Sequence, residues 1–298
     1  MMEDLSGLIL LDKPPGITSF KILGEIKKKA GNNKSLKLGH AGTLDKFAAG
    51  LLIVLAGRFT KLNYFFTNLD KEYTAVICFG NETDTLDTEG RVIASSSHIP
   101  DIEKIEKNIK FFTGKTYQKP PVYSAIHING KRAYKTALEG KKIEMPEREI
   151  YIKNFRVISY IPPCLKVSIK CSKGTYIRSI ARDLGIRCNS RAYLTSLIRN
   201  SIGSFNIAEA VKPSNLNLPY DLRNSVDIFS DMKGIYSCSI KKPCEKLLIY
   251  GKKLDNTNFL KKLKHDGNYA VFNEEGRFLR IISKYRNLIS YKIMKDQA

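Results

Sequence analysis

"GHAGTLDKFAAGLLIVLAG" (residues 39–57) carries a glycine-permissive loop, with His40 and the carboxylate of Asp45, straight into the apolar run Leu51–Leu55. The run is short and closed by Gly57, so it reads as a buried strand. A charged carboxylate at the entrance of such a strand has two accounts. Asp45 is a turn former that bonds nearby amides, or it is a functional group, with Gly39, Gly42 and Gly50 letting the backbone approach a ligand closely. The loop alone leaves both open.

Upstream, "GLILLDKPPGITSF" (7–20) reads as a strand, a Pro-Gly turn, and Thr18 or Ser19 capping a basic helix that ends near Gly31. Downstream, residues 58–69 and 101–112 have helical periodicity, and "EYTAVICFG" (72–80) alternates like a strand. "NETDTLDTEG" (81–90) is a turn, and "KPPVYSAIHINGKRAYKTALEG" (119–140) suggests strand, Asn-Gly turn and helix. Two β-rich segments flank Pro162-Pro163, and "CSKGTYIRSIARDLG" (171–185) passes into a helix with Gly185 as its C-cap. Without a regular βαβ rhythm, the class is α+β: a mixed, largely antiparallel sheet with flanking helices. From residue 226 the texture changes to short strand-like runs ("GIYSCSI", "KLLIYG", "NYAVFN", "RFLRIIS") between turns. This divides the chain into a domain over 1–225 and a small β-rich module over 226–298.

Fifty Lys and Arg against 29 Asp and Glu give a formal charge of +21. Such an excess suits a polyanionic partner, nucleic acid first, although a lysine-rich composition explains part of it. Residues 221–298 carry 16 basic and 9 acidic side chains, so both parts of the chain are basic. No segment approaches the roughly 18–20 apolar residues of a membrane span, and the first residues lack a signal-peptide pattern. Six singly scattered cysteines argue against a disulfide framework or zinc site, and for reduced thiols in a cytoplasmic protein. With four histidines spread along the chain, a histidine-rich metal centre is not expected. Phosphate-loop, dinucleotide, zinc-protease and serine-hydrolase motifs are all absent.

"GHAGTLD" followed by "AAGLL", with "CSKGTYIRSIARDLG" far downstream, resembles the TruB-type tRNA pseudouridine synthases. "DKPPGITS", "KEYTAVICFG", "TDTLDTEG" and "KPPVYSAIHINGKRAY" fall in that family's usual order, so the resemblance covers about residues 7–205. Over 226–298 it is looser, to an RNA-binding PUA domain. The resemblance implies conversion of uridine to pseudouridine in the tRNA T-loop, at position 55, by a cytoplasmic monomer that needs no cofactor, metal or protein partner. A carboxylate fits a reaction that breaks a glycosidic bond and rejoins the base through carbon, because it stabilises or traps an electron-deficient C1′ or adds to C6 of the ring.

By resemblance Asp45 is that carboxylate, Tyr73 lies against the target base, and Arg178 holds the carboxylate bidentately. Leu197 lines the uracil pocket, and His40 enters the opened T-loop. Tyr176, Lys61 and Lys13 are further candidate RNA contacts, as are Lys131 and Arg132. Each also has an ordinary reading: a strand aromatic, a surface charge, a core leucine, a solvated turn. Lys46 stands where the family usually has a proline, His127 where it has a lysine, and "ALEG" (137–140) replaces an Ala-Arg segment. Two other functions fit the same motifs, a non-catalytic tRNA-binding chaperone and a synthase that takes its target from a guide RNA.

Overall fold

The computed structural model describes residues 5–31, 36–124, 126–128, 130–140, 143–224, 226–229 and 234–291. A nine-stranded sheet forms the main body. Its strands are β1 (Gly7–Lys13), β2 (Leu38–His40), β3 (Ala49–Ala56), β4 (Lys71–Phe79), β5 (Gly114–Gln118), β6 (Arg148–Ile161), β7 (Cys164–Cys171), β8 (Ala192–Ile202) and β9 (Phe205–Asn206). They run in the order β1-β3-β8-β4-β7-β6-β5, with β2 paired to β3 and β9 to β8. Every pairing is antiparallel except β3 with β8, where Ala49 faces Ile198 and Gly50 faces Arg199. The class read from the sequence is the class found.

The continuous apolar runs of β1 and β3 are explained by burial on both faces. Ile9, Leu11, Leu52 and Val54 pack with helices on one side, whereas Leu8, Leu10, Leu51, Ile53 and Leu55 pack on the other. Helix α1 (Ser19–Lys29) is capped by the Thr18 hydroxyl, which accepts from Lys21 N at 3.1 Å. It buries Ile22 and Ile26 one turn apart and ends with Lys27–Lys29, which complement the helix dipole. Asp101 caps α2 (Ile102–Ile109), which buries Ile105 and Ile109. Helix α3 (Ile177–Arg187) crosses the same face.

Three expectations fail. Gly185 lies inside α3, not at its cap; a Cβ there would meet Ala192 N at 2.7 Å, so the glycine serves the close approach of α3 to β8. The run "KLLIYG" holds a short helix, Glu245–Ile249, that buries only Leu248. Four apolar residues are too few to separate a period of two from one of 3.6. Finally, Cys78 and Cys164 are joined as a disulfide, because the antiparallel register of β4 and β7 sets them directly opposite each other. The turn residue Asn129 lies outside the described residues; around it, His127–Ile128 pairs with Lys131–Arg132 before a helix at Ala133–Leu138.

The C-terminal region forms its own sheet of β10 (Ile235–Ser239), β11 (Gly267–Phe272), β12 (Phe278–Tyr285) and β13 (Leu288–Tyr291). Strand β10 runs parallel to β11 and the other pairs are antiparallel. One face of it has its own core, with Leu248, Phe259, Tyr269, Val271 and Ile282, and the other face packs on the main body. Phe229 stacks on Phe278, Phe272 meets both edge-on, and Phe278 meets Phe59 edge-on at 5.0 Å, joining this sheet to the outer face of β1 and β3.

Candidate active site

The loop from Ala41 to Ala48 is held from several sides. Ser19, the first residue of α1, bonds both backbone groups of Leu44: its hydroxyl accepts from the amide at 3.0 Å and donates to the carbonyl at 3.1 Å. Gly16 N donates to Lys46 O at 2.8 Å. Arg199 reaches under the loop from β8, donating to Gly42 O at 3.0 Å and Leu51 O at 2.8 Å. Gly50 makes that crossing possible, since at φ +102° a Cβ would meet the Arg199 backbone at 2.5 Å. The glycines thus permit a close approach between strands, and Asp45 projects from a clamped loop.

Asp45 faces Arg178 on the first turn of α3. Arg178 Nη2 donates to Oδ1 at 3.0 Å, while Nε lies 2.9 Å from Oδ2 as an ion-pair contact off the hydrogen-bond axis. The guanidinium engages both carboxylate oxygens, so it fixes the direction of the carboxylate as well as balancing its charge. Arg178 is itself pinned: Nη1 donates to Thr85 O at 2.7 Å and Nη2 to Tyr123 O at 3.1 Å. Its side chain is 5% exposed and that of Asp45 36%, so the carboxylate keeps one side open.

Asp87, from the turn "TDTLDTEG", lies 3.4 Å from Arg178 Nη1 with a 5% exposed side chain. It accepts from the Thr85 hydroxyl at 2.6 Å and Glu89 N at 3.0 Å. Burial pushes its carboxyl above the ordinary range, while those hydrogen bonds and Arg178 pull it back. The preceding Leu86 is held at φ +64°, a conformation that costs an ordinary side chain about 1–3 kcal/mol and tends to persist only where the surroundings enforce it.

Asp45 opens on a cavity of about 600 Å³, also lined by Tyr73, Tyr176, Leu197, Arg199 and Lys71. Tyr73 and Arg199 are register partners on β4 and β8. Burial pushes the Tyr73 phenol up to about 12, with the Arg199 charge and a hydrogen bond from it pulling the other way. Lys71 is lowered to about 8 by burial and by the Arg199 charge; its ammonium donates to Thr67 O and Leu69 O, each at 2.6 Å. Arg199, 1% exposed, is lowered by the same desolvation. Three buried cations and the partly exposed Asp45 around one open cavity, with buried Asp87 against Arg178, form a preorganised electrostatic site.

The structure therefore brings Asp45, Arg178, Tyr73, Leu197 and Tyr176 together. Lys13 is placed otherwise than a phosphate contact requires: it is wholly buried, and its ammonium donates to Pro14 O, Ile17 O and Lys46 O. Its pKa falls to about 8 through burial, against the pull of Asp45, so it is a brace for the Asp45 loop. Lys61, on the turn at Gly57–Leu62, is exposed and away from the cavity lining, as are Lys131 and Arg132 on their hairpin. His40 is half-buried in β2, outside the lining, with Nδ1 lacking a hydrogen-bond partner among the described residues. Burial and then Arg199 lower its pKa, favouring neutral imidazole. Lys46, the departure beside Asp45, pairs with Glu89 at 2.6 Å. Among the described residues there is no group of three or more His, Cys, Asp or Glu placed to hold a metal ion, and no helix is long and apolar enough to cross a membrane.

Arg199, Asp87 and Lys71 were not singled out from the sequence. Arg199 left a faint signal in "SLIRNSI", where it occupies the buried phase of an alternating strand. Asp87 left none, because its turn is a good turn for ordinary reasons.

A carboxylate clamped by a buried arginine, beside a buried tyrosine on a mixed sheet, defines an acid–base or nucleophilic type of site. The sequence profile of the TruB family pseudouridylate synthase N-terminal domain matches residues 27–177. A protein named tRNA pseudouridine synthase B from Borrelia garinii subsp. bavariensis is 42% identical over 293 residues, 96% of this chain and 99% of that one. Its namesake from Borreliella burgdorferi (strain ZS7) is 47% identical over 214 residues, 71% of this chain and 75% of that one. Among solved structures, a chain of "Crystal Structure of a Cbf5-Nop10-Gar1 Complex" superposes with a TM-score of 0.71 at 20% identity, covering 99% of this chain and 85% of that one. That last likeness is one of fold. The chain belongs to the TruB family, and it is an enzyme, a pseudouridine synthase.

Proposed function

We propose that this chain isomerises uridine to pseudouridine in tRNA, in the T-loop at position 55, with Asp45 as the reacting carboxylate. The observation that carries the reading is the Asp45–Arg178 pair, clamped behind and open to the cavity in front. The relatives' shared name, tRNA pseudouridine synthase B, supports tRNA as the substrate. The net charge of +21 supports a polyanion.

In this reading a flipped uridine enters the cavity, with Tyr73 against the ring and Leu197 at its edge. Arg178 keeps Asp45 aimed. The N1–C1′ bond breaks, the uracil turns, and C5 bonds to C1′; C5 then loses its proton and N1 ends protonated, so atoms and charge balance without a cofactor. In this reading the carboxylate attacks C1′ of the ribose or C6 of the ring. The same carboxylate serves both routes. Tyr176 and Lys61 are RNA contacts in this reading, and His40, its imidazole neutral, stacks in the opened T-loop. The enzyme works as a cytoplasmic monomer, and the C-terminal sheet is an RNA-binding, PUA-like module.

The test is to incubate purified protein with unmodified tRNA transcript, no guide RNA being present, and map pseudouridine. Modification at position 55 is expected. A requirement for guide RNA, or tRNA binding with no modification, would overturn this reading in favour of one of the two alternatives.

A further inference from the structure

A second cavity, of about 420 Å³, lies on the C-terminal sheet and shares no lining residue with the first. One wall is β10, an edge strand paired only with β11 among the described residues. The other is the segment Leu260–His265. Leu260 N donates to Ser239 O at 2.9 Å, closing one end of the groove. Tyr269 ties down the other, accepting from His265 N at 3.0 Å and donating to His265 O at 2.8 Å. The groove is a built feature.

Tyr236 stands on β10, 41% exposed, with its ring stacked on His265 (centroids 5.1 Å, planes at 23°) and tilted on Tyr269 at 5.2 Å. Across from it Leu260 is 53% exposed. The rim carries Lys261, Lys262 and Lys264, all exposed and none in an ion pair among the described residues. Among the described residues no acidic side chain lines the groove. An aromatic platform, an apolar wall and three free cations suit a flat ring flanked by negative charge. A double-stranded helix offers no ring face to a platform, so the match is to an unpaired nucleotide.

We propose that this groove is a second RNA subsite that takes one unpaired nucleotide, its base stacked on Tyr236 and its phosphates on Lys261, Lys262 and Lys264. The choice of RNA as partner rests on the function proposed above. Short of Ser239, the outer edge of β10, unpaired among the described residues, offers backbone groups to the base edge, so the contact tolerates any base while requiring that it be unstacked.

The test measures binding of labelled hexauridylate and of a blunt RNA duplex to the full chain, with pseudouridine mapping in tRNA run separately. Tyr236→Leu, which keeps an apolar side chain, is expected to weaken hexauridylate binding about tenfold, the lower part of the range for losing one stacked base. Tyr236→Phe should restore it, and duplex binding should not change with either. The Lys261/Lys262/Lys264→Gln triple variant, altered only at exposed positions, should reduce the salt slope for hexauridylate by about 2. Unchanged hexauridylate affinity in folded Tyr236→Leu together with an unchanged salt slope in the triple variant overturns the subsite; an acidic peptide as the true occupant gives the same result. Equal loss for duplex and single strand overturns the unpaired nucleotide. Absence of pseudouridine with the wild-type chain would instead overturn the catalytic reading, and the hexauridylate measurements would still decide the subsite.

Discussion

The two cavities treat charge in opposite ways. Around Asp45 the cations are indoors: Arg199 is 1% exposed and donates to backbone carbonyls, and Arg178 is 4% exposed and donates to backbone carbonyls and to Asp45. Around Tyr236 the lysines stand in water with no protein partner among the described residues. Desolvating a charge is costly unless the surrounding groups are fixed, and fixed groups are what a reacting centre needs. Solvated charges cost nothing to hold and give affinity that salt weakens. The first arrangement is suited to chemistry and the second to capture.

The largest effect that could break this contrast is at Asp45. Asp45→Asn keeps size and much of the hydrogen bonding but removes the charge, so folded protein should bind tRNA near wild-type affinity and form no detectable pseudouridine. Turnover by repurified Asp45→Asn protein, with deamidation excluded by mass, would remove Asp45 from the chemistry. Arg178→Lys should lie between, since lysine restores charge without the fork.

Next in size is the joint between the two regions. Phe278 packs on Phe59 and Phe229 at once, so Phe278→Ala should cost about 3–5 kcal/mol. Because this aromatic cluster belongs to both sheets, urea unfolding followed at each should move as one transition. Two separated transitions would make the C-terminal sheet an independent unit after all.

The buried cations also make a pH prediction. Lys71 is lowered to about 8 from 10.5. Below pH 8 both folded and unfolded states hold the proton; between 8 and 10.5 only the unfolded state does, so raising pH favours the fold. Compared with Lys71→Met, the wild-type chain should gain stability over that interval, by about 3 kcal/mol at most. A parallel pair of stability curves would mean that the ammonium is solvated. The smallest effect is expected at Lys46, whose pairing with Glu89 is on the surface. Lys46→Ala should leave melting temperature and pseudouridine formation within error, and a clear loss of either would show that this departure from the family's proline had become part of the site.

Much of this was legible without coordinates. The strands, their alternation and a helix cap at Thr18 or Ser19 follow from local periodicity and turn chemistry, which act over a few residues. Asp45, Tyr73 and Arg178 stood out because long motifs surround them, and the motifs fall in one order along the chain. The calls on Gly185, Lys13 and "KLLIYG" failed for one reason. Each depended on what lay across from the residue: the β8 backbone, a ring of carbonyls, or a core that wanted only one leucine.

The sequence by itself determined the class of sheet, the candidate carboxylate at Asp45, and the positive charge that suits a polyanion. The tertiary structure alone decided that Gly50 exists for Arg199, that Asp87 shares Arg178 with Asp45, and that the two sheets have one aromatic core. It also decided that Tyr236 and three distant lysines line one groove. Local pattern is set by each residue's own dihedral and solvation preferences. These contacts join residues from about 25 to more than 200 positions apart, and only the closed sheet brings them within reach.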